Sequence, residues 1–259
     1  MAVDASILQL LEPGDPPTLR FYRWAQPTLS LGYFQSLGDR RLHPASESIE
    51  VVRRATGGGA IVHDRELTYS LAIASSTRQT GASARLYQTV HQCFIDALGA
   101  LGIVTRKHGS DQSTPNPTEP FLCFQRRTME DLVVGGYKIL GSAQRRGQHG
   151  LLQHGSLLLS ASPFAPELPG IMEMTGTSKT GVDKFQSGLK RPHTEVGDFM
   201  ASSSTWLELS APLIHDVADR IAQQLNWTVQ PGALTAAERT AAEQLNADRF
   251  SRSDWTAKR

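Results

Sequence analysis

No stretch constrains the fold of this chain more than Arg53-Arg54-Ala55-Thr56-Gly57-Gly58-Gly59-Ala60-Ile61-Val62-His63-Asp64, where paired arginines and three consecutive glycines follow the largely β-branched run Ile49 to Val52. It reads as a strand feeding a tight turn. Glycine reaches φ > 0 without steric cost and lets a ligand approach the main chain, so the N–H groups of such a turn can point at a carboxylate or phosphate. A neighbouring arginine adds a permanent charge with a fork of donors. Standing alone, the segment has a lesser alternative reading as a glycine hairpin between two strands.

The device recurs further along. In Asp131 to Arg146 two apolar arms flank Gly135-Gly136, a dipeptide suited to a two-residue hairpin, and Lys138 takes the place of the arginines. Alternation along the second arm places Lys138 on the face of Leu140. A third segment, Gly150 to Leu159, sets His154-Gly155 between short apolar runs and reads as a further glycine turn.

Around these segments, breakers and periodicity outline an α/β chain. A helix is expected over Asp4 to Leu11, ended by Pro13-Gly14, and two strands lie around Gln26-Pro27 between Thr18 and Gln35. Leu67 to Ser75 reads as a buried strand. Leu86, Val90, Phe94, Leu98 and Leu101 keep helical spacing over Ser83 to Leu101, and Trp206 to Leu225 and Ala236 to Leu245 are further helices. Gly109 to Pro120 reads as a surface loop. Pro163 to Thr194 reads as a long connection in which Lys179, Lys184, Lys190 and Arg191 suit an acidic partner surface.

Composition limits the function class. A net charge of +1 over 259 residues argues against a nucleic-acid or anionic-membrane surface. No uninterrupted apolar run reaches the ~18 residues of a membrane span, and Met1-Ala2-Val3-Asp4 does not open a secretory signal, so a cytoplasmic location is expected. Cys93 and Cys123 are the only cysteines, too few for a disulfide scaffold. Cys93, inside the helical pattern, reads as a buried inert thiol. No Walker-type phosphate loop and no metal-ligand spacing occurs.

Together the three segments resemble the catalytic domain of lipoate-protein ligases, octanoyltransferases and, more distantly, biotin-protein ligases. Arg53 to Asp64 is similar to that superfamily's RRxTGGxAxxHD, Lys138 to Gln144 to its KIxGSAQ, and Leu152 to Ser156 to its LQHGS. Leu29 to Gln35 resembles an early LSLGxxQ strand, and Leu234 through Trp255 resembles the closing helix and tryptophan. The resemblance implies one α/β (α+β) domain over residues 1–259, a mixed sheet flanked by helices, with no C-terminal accessory domain. Met1 to Asp4 resembles the family's internal NMAxD, which implies a first strand lost or a start lying upstream of Met1.

The resemblance also implies the chemistry. Cys123 lies fifteen residues ahead of Lys138, where one branch of octanoyltransferases carries its nucleophile, and His63 to Ser70 resembles that branch's HDxELTYS. Gly59 departs from it, because that branch often has arginine there. On this reading Cys123 and Lys138 are catalytic, and Arg54, Thr56, Gly57, Gly58, Gly59, His63, Gly141, Ser142, Ala143, His154 and Gly155 bind substrate. His154 is expected to shape the pocket, and Ser142 and Ala143 to act through backbone N–H groups. The implied donor is octanoyl-acyl carrier protein, and the acceptors are lipoyl-carrier domains such as glycine cleavage H protein or 2-oxoacid dehydrogenase E2. No cofactor is required, and neither nucleic acid nor membrane takes part. A thiol is about two units too weak an acid at pH 7, so such a nucleophile needs a nearby cation, a place suited to Lys138. Three alternatives remain: an ATP- and Mg²⁺-dependent lipoate-protein ligase forming an acyl-adenylate on Lys138, Arg54 and the glycines; a biotin ligase, for which GRGRxG-like spacing is expected; and a non-catalytic acyl-binding protein.

Overall fold

The computed structural model describes residues 1–74, 81–109, 119–175 and 205–258, with side chains from 209 onward in the last segment. The four basic residues expected to meet a partner, most of their connection and most of the 109–120 loop lie outside the described residues.

Helix α1 (Ala2–Leu10) opens the chain, close to its expected bounds. Its buried Asp4 is the anchor. Asp4 ion-pairs with Arg20 and accepts hydrogen bonds from Tyr22 Oη at 2.8 Å and Ser70 Oγ at 2.7 Å. Burial acts to raise the Asp4 pKa, yet the N-terminal ammonium, Arg20 and these two hydrogen bonds bring it below its ordinary value.

The strands form two sheets instead of one. The larger is wholly antiparallel and runs in the order β1 (Thr18–Tyr22), β5 (Glu66–Ala74), β9 (Gly150–Leu158), β8 (Tyr137–Arg146), β7 (Leu132–Val134), β6 (Arg106–Lys107). The smaller is mixed: β2 (Thr28–Leu31) lies between β3 (Glu50–Arg53), which is parallel to it, and β4 (Ile61–His63), which is antiparallel. A parallel pair needs a long crossover, and residues 32–49 supply it.

One face of the large sheet buries helix α2 (Ala82–Ala100). Its expected stripe of Leu86, Val90, Phe94 and Leu98, with Cys93 and Ala97, packs against Leu67, Tyr69, Leu71, Ile139, Leu140 and Leu157. Each such large apolar side chain removed from water contributes ~1.5–3 kcal/mol. Short helix α3 (Ile171–Thr175) adds Ile171 to that core, and α4 (Thr205–Leu225) adds Leu213, Val217 and Ile221. Helix α5 (Ala236–Leu245) begins with a capping box between Thr235 and Glu238 and lies against α1. A second core joins the small sheet to the Cys123 segment through Leu29, Leu31, Ala60, Val62, Phe121 and Leu122. No described helix is long and apolar enough to cross a membrane.

Two local expectations change. His154 and Gly155 sit mid-strand in β9, paired with Ser70 and Tyr69 on one side and with Ala143 and Ser142 on the other, so no turn forms there. The Gly135-Gly136 turn does form, with φ of 55° and 86°. Beyond it a β-bulge shifts the register, so Val133 pairs with Lys138 while Leu132 pairs with Leu140. The extra residue, Ile139, breaks the alternation. Ile139 and Leu140 both enter the core, whereas Lys138 lies over Gly141, whose added Cβ would fall 2.5 Å from Lys138 Cε. Lys138 and Leu140 therefore do not share a face.

Candidate active site

Strand β3 ends in two arginines with different tasks. Arg53 is fully buried, and its guanidinium donates to the carbonyl oxygens of Gly32, Tyr33, Gln35, Trp255 and Thr256. Arg54 staples the glycine loop from inside. It donates to Ser30 O at 2.8 Å, Gly57 O at 2.8 Å and Gly59 O at 2.6 Å, and burial lowers its pKa to about 10. At neutral pH it keeps its charge, spent on backbone oxygens. Gly58 sits at φ 94°, and a Cβ on Gly32 would lie 1.9 Å from Gly58 O, so the loop is folded directly onto the chain leaving β2.

That loop carries the cysteine segment. Ala60 N donates to Phe121 O at 2.9 Å and Cys123 N to Ala60 O at 2.7 Å, which fixes Cys123 at the start of a single 3₁₀ turn, Cys123–Gln125. Lys138 Nζ lies 4.0 Å from Cys123 Sγ and donates to Cys123 O and Arg126 O, each at 3.3 Å. Its counter-ion is Asp131, at 2.9 Å, with both side chains nearly inaccessible. Cys123 is half-buried. Cys93 is buried in the α2 interface, where desolvation raises its pKa to about 11.

The facing wall comes from β8 and β9. Ser142 Oγ lies 2.6 Å from Tyr69 Oη and 2.7 Å from His91 Nε2, while His91 Nδ1 lies 2.7 Å from Glu130 O. A carbonyl only accepts, so His91 carries its proton on Nδ1 and Ser142 donates to Nε2. Gln153 closes this chain by donating to Tyr69 Oη at 2.8 Å. The Ser142 backbone N–H, expected to face the acyl head, donates to Tyr87 Oη at 3.2 Å. Gly155 leaves room for the arrangement, since a Cβ there would lie 2.5 Å from Ser142 Oγ. His154 Nε2 meets Thr56 Oγ1 at 3.0 Å, and burial lowers the His154 pKa to about 4.

Between the two walls lies a cavity of about 290 Å³, near the lower end of the ~300–1,000 Å³ typical of small-molecule sites. Arg54, Gly57, Gly58, His63, Cys123, Gly141, Ser142, Ala143, His154 and Gly155 all line it. The remaining expected site residues stand just behind: Lys138 against Cys123, Thr56 holding His154, and Gly59 under the Arg54 guanidinium. A family model described as "Lipoyl protein ligase A/B catalytic domain" matches residues 1–225. The chain belongs to that family. A curated relative from Kyrpidia tusciae, named Octanoyltransferase LipM, is 33% identical over 98% of this chain and 92% of its own length. Among solved structures, lipoate-protein ligase A bound with ATP superposes with a TM-score of 0.67 at 21% identity, covering 99% of this chain and 92% of that one. A bi-partite lipoate protein ligase from Thermoplasma acidophilum, described with its E2 lipoyl domain, gives 0.65 at 21% identity, with 99% and 89% covered.

Sequence reasoning in this family's terms missed Asp131, Glu66, His91, Tyr69 and Trp24. Asp131 had a usable signal, being an acidic residue at the foot of the hairpin that carries Lys138. His91 had one as well: it stands one turn before Phe94 on the inward stripe of α2, where a histidine needs a partner.

Proposed function

We propose that this protein is an octanoyltransferase of protein lipoylation, moving an octanoyl (or lipoyl) group from acyl carrier protein to a lysine of a lipoyl-carrier domain through a thioester on Cys123. The observation that carries the reading is a cysteine on the wall of a cavity, 4.0 Å from a lysine ammonium whose counter-ion holds it in place. The name of the Kyrpidia tusciae relative agrees with it.

The reaction runs in two transfers. The Cys123 thiol loses its proton to water, the thiolate attacks the donor thioester carbonyl, and the Lys138 ammonium attracts the negative charge that gathers between sulfur and carbonyl oxygen. The carrier leaves as its thiolate and the octanoyl chain stays in the cavity. The acceptor lysine then attacks the enzyme thioester and releases Cys123. The transferase reading needs no cofactor. The ligase reading asks Arg54 and Lys138 to hold an adenylate phosphate, and both cations already have partners, in loop carbonyls and in Asp131. We place the whole chain, residues 1–259, in one catalytic domain, working in the cytoplasm with H protein or E2 lipoyl domains as acceptors.

The deciding experiment is intact mass after incubation with octanoyl-carrier protein, without ATP or acceptor. An octanoyl adduct that hydroxylamine removes and that Cys123→Ser lacks is the expected result. No adduct, with acceptor modified only from free acid and ATP, makes the protein a ligase.

A further inference from the structure

In the cavity that Cys123 also lines, His63 Nδ1 lies 3.0 Å from Glu66 Oε1, and Glu66 is 1% exposed. Thr68 Oγ1 donates to the same oxygen at 2.6 Å and itself accepts from Trp24 Nε1 at 3.3 Å. A carboxylate only accepts, so the Nδ1 proton is fixed and Nε2 carries the lone pair. The ring cannot turn, because Trp24 stacks on it with centroids 4.1 Å apart and planes 14° apart. His63 and Trp24 both line the cavity, and Nε2 has no hydrogen-bond partner among the described residues. The second Glu66 oxygen is buried without a partner there, an arrangement that leaves the carboxylate strongly disposed to stabilise an imidazolium beside it.

Resting on the octanoyltransferase reading, we propose that His63, oriented by Glu66, is the base that takes the proton from the acceptor lysine in the second transfer. The acceptor amine first loses its ammonium proton to solvent. Its nitrogen then bonds to the thioester carbon, and the proton it can no longer hold passes to His63 Nε2. The C–S bond breaks, the electron pair returns to Cys123 sulfur beside Lys138, and the imidazolium proton leaves to that sulfur or to water. Lys138 cannot serve this step well: it is an ammonium already bound to Asp131 and two carbonyls, with no lone pair to offer. The groups that face His63 are Glu66, Arg54, His154 and the Met1 amine, and burial together with the two cations keeps the imidazole neutral and able to accept.

The test separates the two half-reactions by rapid quench. Self-acylation by octanoyl-carrier protein is timed first. Transfer from the preloaded enzyme to a purified lipoyl domain is timed second. His63→Gln slows transfer at least about a hundredfold more than self-acylation, as expected of a lost general base. Imidazole added to His63→Ala restores part of the transfer rate. Glu66→Gln moves the acid limb of the transfer rate to lower pH, because the imidazolium loses its carboxylate. Equal slowing of both steps, or an acid limb unmoved in Glu66→Gln, overturns the assignment. Wild-type protein that takes up no octanoyl group at all overturns the octanoyltransferase reading itself, a different result from an adduct that His63→Gln discharges at the wild-type rate.

Discussion

Asp131→Asn isolates the support of Lys138 without touching the cavity. The substitution keeps shape and one acceptor oxygen but removes a charge 2.9 Å from a buried ammonium. At an effective dielectric near 20 that attraction is about 6 kcal/mol, and the amide oxygen retains roughly 2 kcal/mol of it as a hydrogen bond to a charged donor. The Cys123 and Arg126 carbonyls, each 3.3 Å from Nζ, remain in place and absorb a little more. The net loss is therefore about 3–4 kcal/mol, within the ~3–5 found when one partner of a buried pair is deleted. Urea unfolding followed by tryptophan emission reads it directly, and a thermal scan shows a fall of roughly 6–16 °C. Asp131→Leu combined with Lys138→Met, which replaces the pair by apolar groups, recovers most of that stability and none of the activity. A loss below about 1 kcal/mol in Asp131→Asn refutes the buried-pair reasoning.

The other predictions concern activity, packing and pH. Lys138→Ala abolishes octanoyl transfer and lipoyl transfer alike, checked by acceptor mass, and a variant with normal turnover removes Lys138 from the mechanism. Gly155→Ala drives a methyl to 2.5–2.7 Å from Ser142 Oγ, Gly141 O and Tyr69 Cε1, so it costs about 1–3 kcal/mol and lowers self-acylation, measured by denaturation and by adduct formation. Burial lowers the His91 pKa to about 4, so the unfolded chain binds the proton more readily between the two values. The His91 contribution to stability is accordingly full above about pH 6.5 and drops by about 3 kcal/mol as pH falls to about 4. His91→Gln flattens that slope in urea midpoints taken across the range, and an unchanged slope refutes it.

Much of the fold is written in local pattern. The inward stripe of α2 follows helical spacing, and Gly135-Gly136 gives the turn that only glycines enter easily. The glycine loop and the cavity residues around it were legible because each motif brings its own backbone requirement. The Asp131–Lys138 pair was not, because its register depends on the bulge at Ile139. In an unbulged two-residue hairpin Asp131 stands level with Leu140; one extra residue brings it level with Gly141, where the missing Cβ leaves space for the lysine stem. The split into two sheets was hidden for a related reason, since nothing near β2 tells that it pairs with β3 and β4 and not with its chain neighbour β1. The His63–Glu66 pair lay within one motif, three residues apart, but strand spacing alone does not disclose that β4 turns into β5 between them.

The Arg53 cation joins the chain tail to the strand that enters the glycine loop. Its guanidinium grips the Trp255 and Thr256 carbonyls, and the Trp255 indole donates back to Arg53 O at 2.9 Å. The next residue, Arg54, holds the loop by its own carbonyls. One consequence is optical: the fluorescence of Trp255 is wired to the reactive end of the molecule, so a ligand that tightens or loosens the glycine loop reports itself through a residue some two hundred positions away in the chain.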